Sequence, residues 1–216
     1  MLKIIKYYFL KNIINEHGEI MQEHKHHAKS SIKFLDSDEI LSQLDLKSDE
    51  VFMDAGCGDG HIAIKAIQDY VPDGLAYAVD NYEPSIEELD EYKAKNNLEN
   101  LINIKADITQ DIVQIEDNAI DMIFMLNVVH GFKSSGNMGD VIEKLLRILK
   151  DNGKIALVEF RPIEWSFGPP VEIKYAPYEL DEIFGKYGFK QIYLNEDLGL
   201  EGPEGKSHYL IIFERE

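Results

Sequence analysis

A single cysteine, Cys57, stands among 216 residues, so no disulfide can form within the chain. That usage fits a reducing compartment and leads us to expect a cytoplasmic protein. Cations are scarce as well. There are 22 Lys and Arg against 40 Asp and Glu, a net charge of −18, and arginine occurs only at Arg147, Arg161 and Arg215. A polyanionic substrate needs clustered Lys and Arg, so nucleic acid is not expected as a partner. No run approaches the roughly 20 apolar residues that span a bilayer, and no membrane insertion is expected. Leu2 to Ile14 is apolar, but Lys11 interrupts it and no small-residue cleavage site follows, so we read a helix or a loosely held extension rather than a signal peptide.

An apolar content of 44% and 216 residues suit one folded domain. We place it at residues 36–216, with 1–35 as an N-terminal extension or lid. Along that domain strand-like and helix-like pieces alternate, which is the pattern of an α/β fold with a mostly parallel sheet. Strands are expected at Val51–Asp54, Leu75–Val79, Leu101–Lys105, Asp121–Leu126, Ile155–Phe160, Gln191–Leu194 and His208–Phe213. Helices are expected after Asp36, over His61–Tyr70, from Pro84 to Lys95, over Val141–Leu149 and over Tyr178–Tyr187. Glu201–Ser207, with two glycines and a proline, reads as the loop between the last two strands.

The stretch Val51 to Gly60 carries the clearest chemistry. It is a short apolar strand with Asp54 at its end, followed by Gly56, Gly58 and Gly60 and then an apolar helical pattern. Such a crossover brings bare backbone close to a nucleotide-like ligand. Asp54 and Asp59 flank the glycines, and no Lys or Arg lies between Val51 and Ile64. A phosphate would be repelled there. A ligand with an adenosine, no phosphate and a positive centre fits, and S-adenosylmethionine is such a ligand. Asp80, after the second strand, can accept bonds from both ribose hydroxyls. Asp107 and Ile108, after the third, offer an acceptor beside an apolar surface, as an adenine needs. Asn127 and His130 follow the fourth.

These segments resemble the class I S-adenosylmethionine-dependent methyltransferases from about Asp36 to the C-terminus, most strongly over Val51–Phe160. The resemblance implies a Rossmann-like seven-stranded sheet, mostly parallel with an antiparallel last strand and helices on both faces. It implies that Asp54, Gly56, Cys57, Gly58, Asp59 and Gly60 hold the methionine part of the cofactor. Asp80 with Asn81 would hold the ribose, Asp107 and Ile108 the adenine, and Asn127 the methyl-bearing end. The segment Phe160–Pro170 with Tyr178–Leu180 looks like the quinone- and metabolite-methylating branch, which implies a small-molecule acceptor and a monomer or homodimer. Arsenite methylation is set aside, because one cysteine inside the cofactor loop cannot bind arsenic.

His130 is the candidate catalytic base, with Glu159 or Glu164 as substitutes and Arg161 as a partner for an acidic acceptor. Trp165, Phe167, Tyr175 and Tyr178 either cover an acceptor or belong to the core. Residues 1–35 and about Arg161–Pro177 are read together as a cover over the acceptor. No metal is expected, since His24, His26 and His27 lack the spacing of a helical metal pair. Two other readings stand beside this one. A nicotinamide-dependent dehydrogenase would need its third glycine one place later and no Asp59 facing a pyrophosphate. A non-catalytic cofactor-binding protein or partner subunit of the same fold would carry the same loop.

Overall fold

The computed structural model describes residues 12–14, 20–22 and 31–216. Asn12–Ile14 (β1) and Ile20–Gln22 (β2) pair antiparallel as a two-stranded sheet of their own. Of Leu2–Ile14, read as a helix or a loosely held extension, only Asn12–Ile14 is described, and it is a strand. The rest of that segment and His24, His26 and His27 lie outside the described residues.

Asp36 caps the first helix, Ser37–Leu41 (α1), by accepting the N–H groups of Asp38 and Glu39. Then follow Val51–Ala55 (β3), His61–Lys65 (α2), Leu75–Asp80 (β4), Glu83–Asn96 (α3), Leu101–Lys105 (β5) and Ile120–Leu126 (β6). Next come Val129–Ser135 (α4), Met138–Ile148 (α5), Leu149–Phe160 (β7), Pro177–Gly185 (α6), Phe189–Gly202 (β8) and Gly205–Arg215 (β9). The helix expected over His61–Tyr70 changes pitch: α2 is α-helical, and Ala66–Tyr70 continues it as a π-helix. Helix α4 was not anticipated, because Gly131 and two serines break any apolar period there.

Seven strands form one sheet in the order β5-β4-β3-β6-β7-β9-β8. Strands β3 to β7 run parallel, and β9 is antiparallel to both its neighbours. Alternation along each strand feeds two apolar layers. Met53, Ile123, Leu157 and Ile211 pack with Ile142 and Leu145 of α5 and with Leu180 and Phe184 of α6. Phe52, Phe124, Val158 and Leu210 pack on the other face with Ile40, Ile62, Ala63 and Leu89. Helices thus cover both faces, as a sheet buried on both sides requires. The order reverses between β3 and β6, which opens a crevice at their carboxyl ends.

The last hairpin differs from expectation. Strands β8 and β9 extend to Gly202 and from Gly205, so only Pro203 and Glu204 separate them instead of the whole of Glu201–Ser207. Pairing of Phe160 with His208 brings the start of β9, and the hairpin tip, to the carboxyl edge of the sheet.

Candidate active site

The crevice is built first from backbone. Gly56, Gly58 and Gly60 have φ values of 82°, 54° and 72°, a region open to glycine and costly for other residues. A Cβ on Gly56 would stand 2.6 Å from Val128 Cγ2, which shows how closely the loops after β3 and β6 approach. The N–H groups of Gly56 and Cys57 both donate to Val79 O, at 2.8 and 3.0 Å, and so tie the loop to β4.

Asp80 closes the loop from the other side. Its Oδ2 accepts the Gly58 N–H and its Oδ1 the Tyr82 N–H, each at 2.8 Å. Each carboxylate oxygen keeps a further lone pair for a hydroxyl. Asp59, at the loop's exposed side, pairs with His61 Nδ1 at 2.7 Å, and His61 Nε2 lies 3.2 Å from Ser31 Oγ. His61 escaped the sequence reading, which counted only Lys and Arg near the glycines.

Two buried acceptors at the crevice have no partner: Asp54 Oδ2 and Asn127 Oδ1. Burial drives the Asp54 carboxyl up to about 7, with the charge of His61 and a bond from the Ala63 backbone acting against it. Asn127 adopts φ 57° and donates its backbone N–H to Val158 O at 2.9 Å, which turns its side chain out of the strand. Cys57 is buried, and burial pushes its thiol well above the ordinary range, so it is no nucleophile at neutral pH. Asn81 and Asp107 are exposed at the same edge and Ile108 is buried. The Thr109 N–H donates to Asp107 at 2.9 Å.

Farther along the edge, His130 in α4 meets Glu159 at the end of β7. Its Nδ1 lies 3.1 and 3.0 Å from the two carboxylate oxygens, and both side chains are buried. Facing a carboxylate, Nδ1 carries the proton. Burial works against a charged His130, yet the charge of Glu159 and its hydrogen bond together leave the imidazole easier to protonate than usual. Glu159 is therefore the partner of His130 rather than its substitute. Glu164 is exposed, and Arg161 donates to the carbonyls of Glu204 and Lys206.

The four aromatics named from sequence divide. Trp165 and Phe167 join Phe34, Phe160 and His208 in one ring cluster. Tyr175 is core, with Lys133 Nζ 4.6 Å from its ring centre, and Tyr178 is exposed. Beside Trp165 a cavity of about 320 Å³ opens to Glu201–Glu204. A groove of about 670 Å³ runs from His61 past Phe34 to Leu200. Among the described residues no group of three His, Cys, Asp or Glu is placed to hold a metal. No described helix is long and apolar enough to cross a membrane.

The residues at the crevice fit S-adenosylmethionine. Two buried acceptors lack partners among the described residues, a glycine cradle leaves backbone open to close contact, and the Asp80 carboxylate keeps lone pairs, a set of groups that suits a cationic ligand with hydroxyl groups. Comparison with known proteins agrees. The methyltransferase domain family matches residues 46–192. An S-adenosylmethionine-dependent methyltransferase from Aquifex aeolicus superposes with a TM-score of 0.72 at 23% identity, covering 87% of this chain and 94% of that one. One from Methanosarcina mazei gives 0.63 at 16% identity, covering 81% and 96%. The cyclase SpnF gives 0.65 at 14% identity, covering 83% and 79%. No curated protein matches the chain in sequence. With its crossover loop, strand order and domain match together, the chain belongs to the methyltransferase domain family, as an enzyme of the class I fold that uses S-adenosylmethionine.

Proposed function

We propose that the chain methylates a small-molecule acceptor by in-line displacement, as in the quinone- and metabolite-methylating branch. The buried His130–Glu159 pair carries this reading. It lies one turn beyond Asn127, at the edge where an acceptor atom would meet the cofactor's methyl group. Bound S-adenosylmethionine supplies a methyl already activated on a sulfonium, so the chain has no electrophile to make. Its contribution is orientation, exclusion of water and, for an acidic acceptor, removal of a proton.

In this reading Asp54, Gly56, Cys57, Gly58, Asp59 and Gly60 hold the methionine part and Asn127 the methyl-bearing end. Asp80 and Asn81 hold the ribose, and Asp107 with Ile108 the adenine. Glu159 fixes the ring of His130 and stabilises its imidazolium, so that the imidazole takes the acceptor's proton through Nε2. Residues 36–216 form the catalytic domain. Arg161–Pro177 covers the acceptor, while residues 1–35, the other part of the expected cover, lie largely outside the described residues. The net charge of −18 supports a small acceptor over a nucleic acid.

Incubation with methyl-labelled S-adenosylmethionine and a small-molecule extract tests the proposal. A labelled low-mass product is expected from the wild type, and much less from His130→Ala. Label appearing only in protein or RNA would contradict it.

A further inference from the structure

The carboxyl edge holds a second set of buried polar groups that neither the glycine loop nor the His130 pair uses. Lys174 is 1% exposed. Its Nζ donates to Ile163 O at 2.6 Å and stands 5.6 Å from the centre of the Phe160 ring. One carbonyl uses one of three N–H bonds, and no carboxylate among the described residues pairs with this ammonium. Glu159 is committed to His130, while Glu164 and Glu172, the other acids whose charge reaches Lys174, are exposed. A buried cation without a counter-ion is unusual.

His208 also packs on Phe160, fully buried, with ring centres 4.1 Å apart. Its Nδ1 is 2.7 Å from Ser207 Oγ, which already accepts the Leu200 N–H at 3.0 Å. Ser207 has one proton to donate to Nδ1, and in the tautomer this pairing defines the imidazole's own proton sits on Nε2. That Nε2 is buried and has no partner among the described residues. Burial and the charge of Lys174 hold His208 neutral, down to about 3, so it offers an N–H and no charge. Trp165 Nε1 is another buried donor without a partner, joined to the cluster through Phe167.

Two buried ring nitrogens without partners among the described residues, set among flat rings beside an ammonium that uses one of its three N–H bonds, describe an anion site facing an aromatic surface. We propose that Lys174 and His208 bind the carboxylate of an aromatic methyl acceptor, whose ring packs against Phe160 and its neighbours. Two donors match two carboxylate oxygens. Phe34 borders the 670 Å³ groove and stacks on His208 with centres 5.6 Å apart, so entry of the ring from the groove requires Phe34 and Phe167 to move. The inference rests on the methyl-transfer reading and names its substrate class.

Trp165 is the single tryptophan, so its fluorescence reports on this cluster directly. Benzoate and its neutral counterpart benzamide are titrated into the protein with S-adenosylhomocysteine present, and S-adenosylhomocysteine binding is measured separately by calorimetry. Benzoate is expected to bind at least tenfold more tightly than benzamide. Lys174→Met and His208→Phe should each weaken benzoate at least tenfold and leave S-adenosylhomocysteine affinity within twofold. If one variant does not fold, the other and the wild-type pair of ligands decide. Equal binding of benzoate and benzamide, or no saturable benzoate signal, overturns the inference while leaving the methyl-transfer reading intact. Loss of S-adenosylhomocysteine affinity in Lys174→Met also overturns it, because the anion held would then be the cofactor's own carboxylate. Failure of the wild type to bind S-adenosylhomocysteine removes the methyl-transfer reading itself and this inference with it.

Discussion

At the β3–β5 end of the carboxyl edge, the chain spends backbone and a few carboxylates. Three left-handed glycines form the loop, and Asp80 ties it down through the Gly58 N–H. At the β6–β9 end the polar work passes to side chains from distant elements: His130 with Glu159, Lys174 near Phe160, and His208 packed on Phe160. The first end is local in sequence and tolerates water. The second is buried and relies on pairs that meet only in the folded chain. A site built on backbone can be shared by many members of a fold, whereas buried charge pairs are particular to one acceptor. In the proposed reading, one end recognises the cofactor and the other carries the acceptor chemistry.

That division breaks most readily at Asp80. Asp80→Ala removes the ribose acceptor and loosens Gly58 together, and charged hydrogen bonds contribute about 1.5–3 kcal/mol each. Calorimetry should show S-adenosylhomocysteine affinity falling roughly 10- to 100-fold. Unchanged affinity would mean that the ribose lies elsewhere.

Gly56→Ala tests the backbone end without touching a polar group. The added Cβ meets Val128 and the φ of 82° disfavours any side chain, so thermal unfolding should report a loss of about 1–3 kcal/mol. Adding Val128→Ala should recover the part due to the clash and leave the part due to φ. Full recovery would show that the conformation of the loop costs nothing.

Glu159→Gln probes the acceptor end. Glu159 is what lifts the affinity of His130 for a proton against burial, so the imidazole midpoint followed by NMR should drop below its ordinary value of about 6.5. Because the folded value is raised, the pair's stabilisation is complete below about pH 6.5 and is lost as pH rises through the folded value. The variant should therefore lose more stability, relative to wild type, at pH 6 than at pH 9. A pH-independent loss would assign Glu159 a packing role alone. Cofactor affinity should not change.

The smallest effect is expected at Asp59. Its side chain is 38% exposed and its ion pair with His61 sits at the rim, where such pairs contribute about 0–1 kcal/mol. Asp59→Ala should weaken S-adenosylhomocysteine by less than about fivefold. A loss equal to that of Asp80→Ala would move the cofactor outward, toward Ser31 and His61.

The same contrast explains what could be read from the sequence. Gly56, Gly58 and Gly60 advertise a backbone conformation, and Asp80 follows at a distance set by one helix and one strand. The positions of strands follow from apolar runs such as Asp121–Leu126. Nothing local joins His130 to Glu159, 29 residues later, or turns Lys174 from a surface lysine into a buried one. Glycine and proline at 202–205 suggested a long loop because turn residues mark a reversal and not its length. The observed reversal needs two residues, and its extended strands carry His208 to the edge. Helix α4 carries the candidate base with almost no apolar period, since it packs through Val129, His130 and Phe132 alone.

The central claim is that the β3–β5 end holds an adenosyl sulfonium rather than a dinucleotide. Calorimetric titration of the wild-type protein with S-adenosylhomocysteine and, separately, with NAD tests it most directly. One saturable site for S-adenosylhomocysteine and no heat with NAD is the predicted result. Binding of NAD without binding of S-adenosylhomocysteine would contradict it.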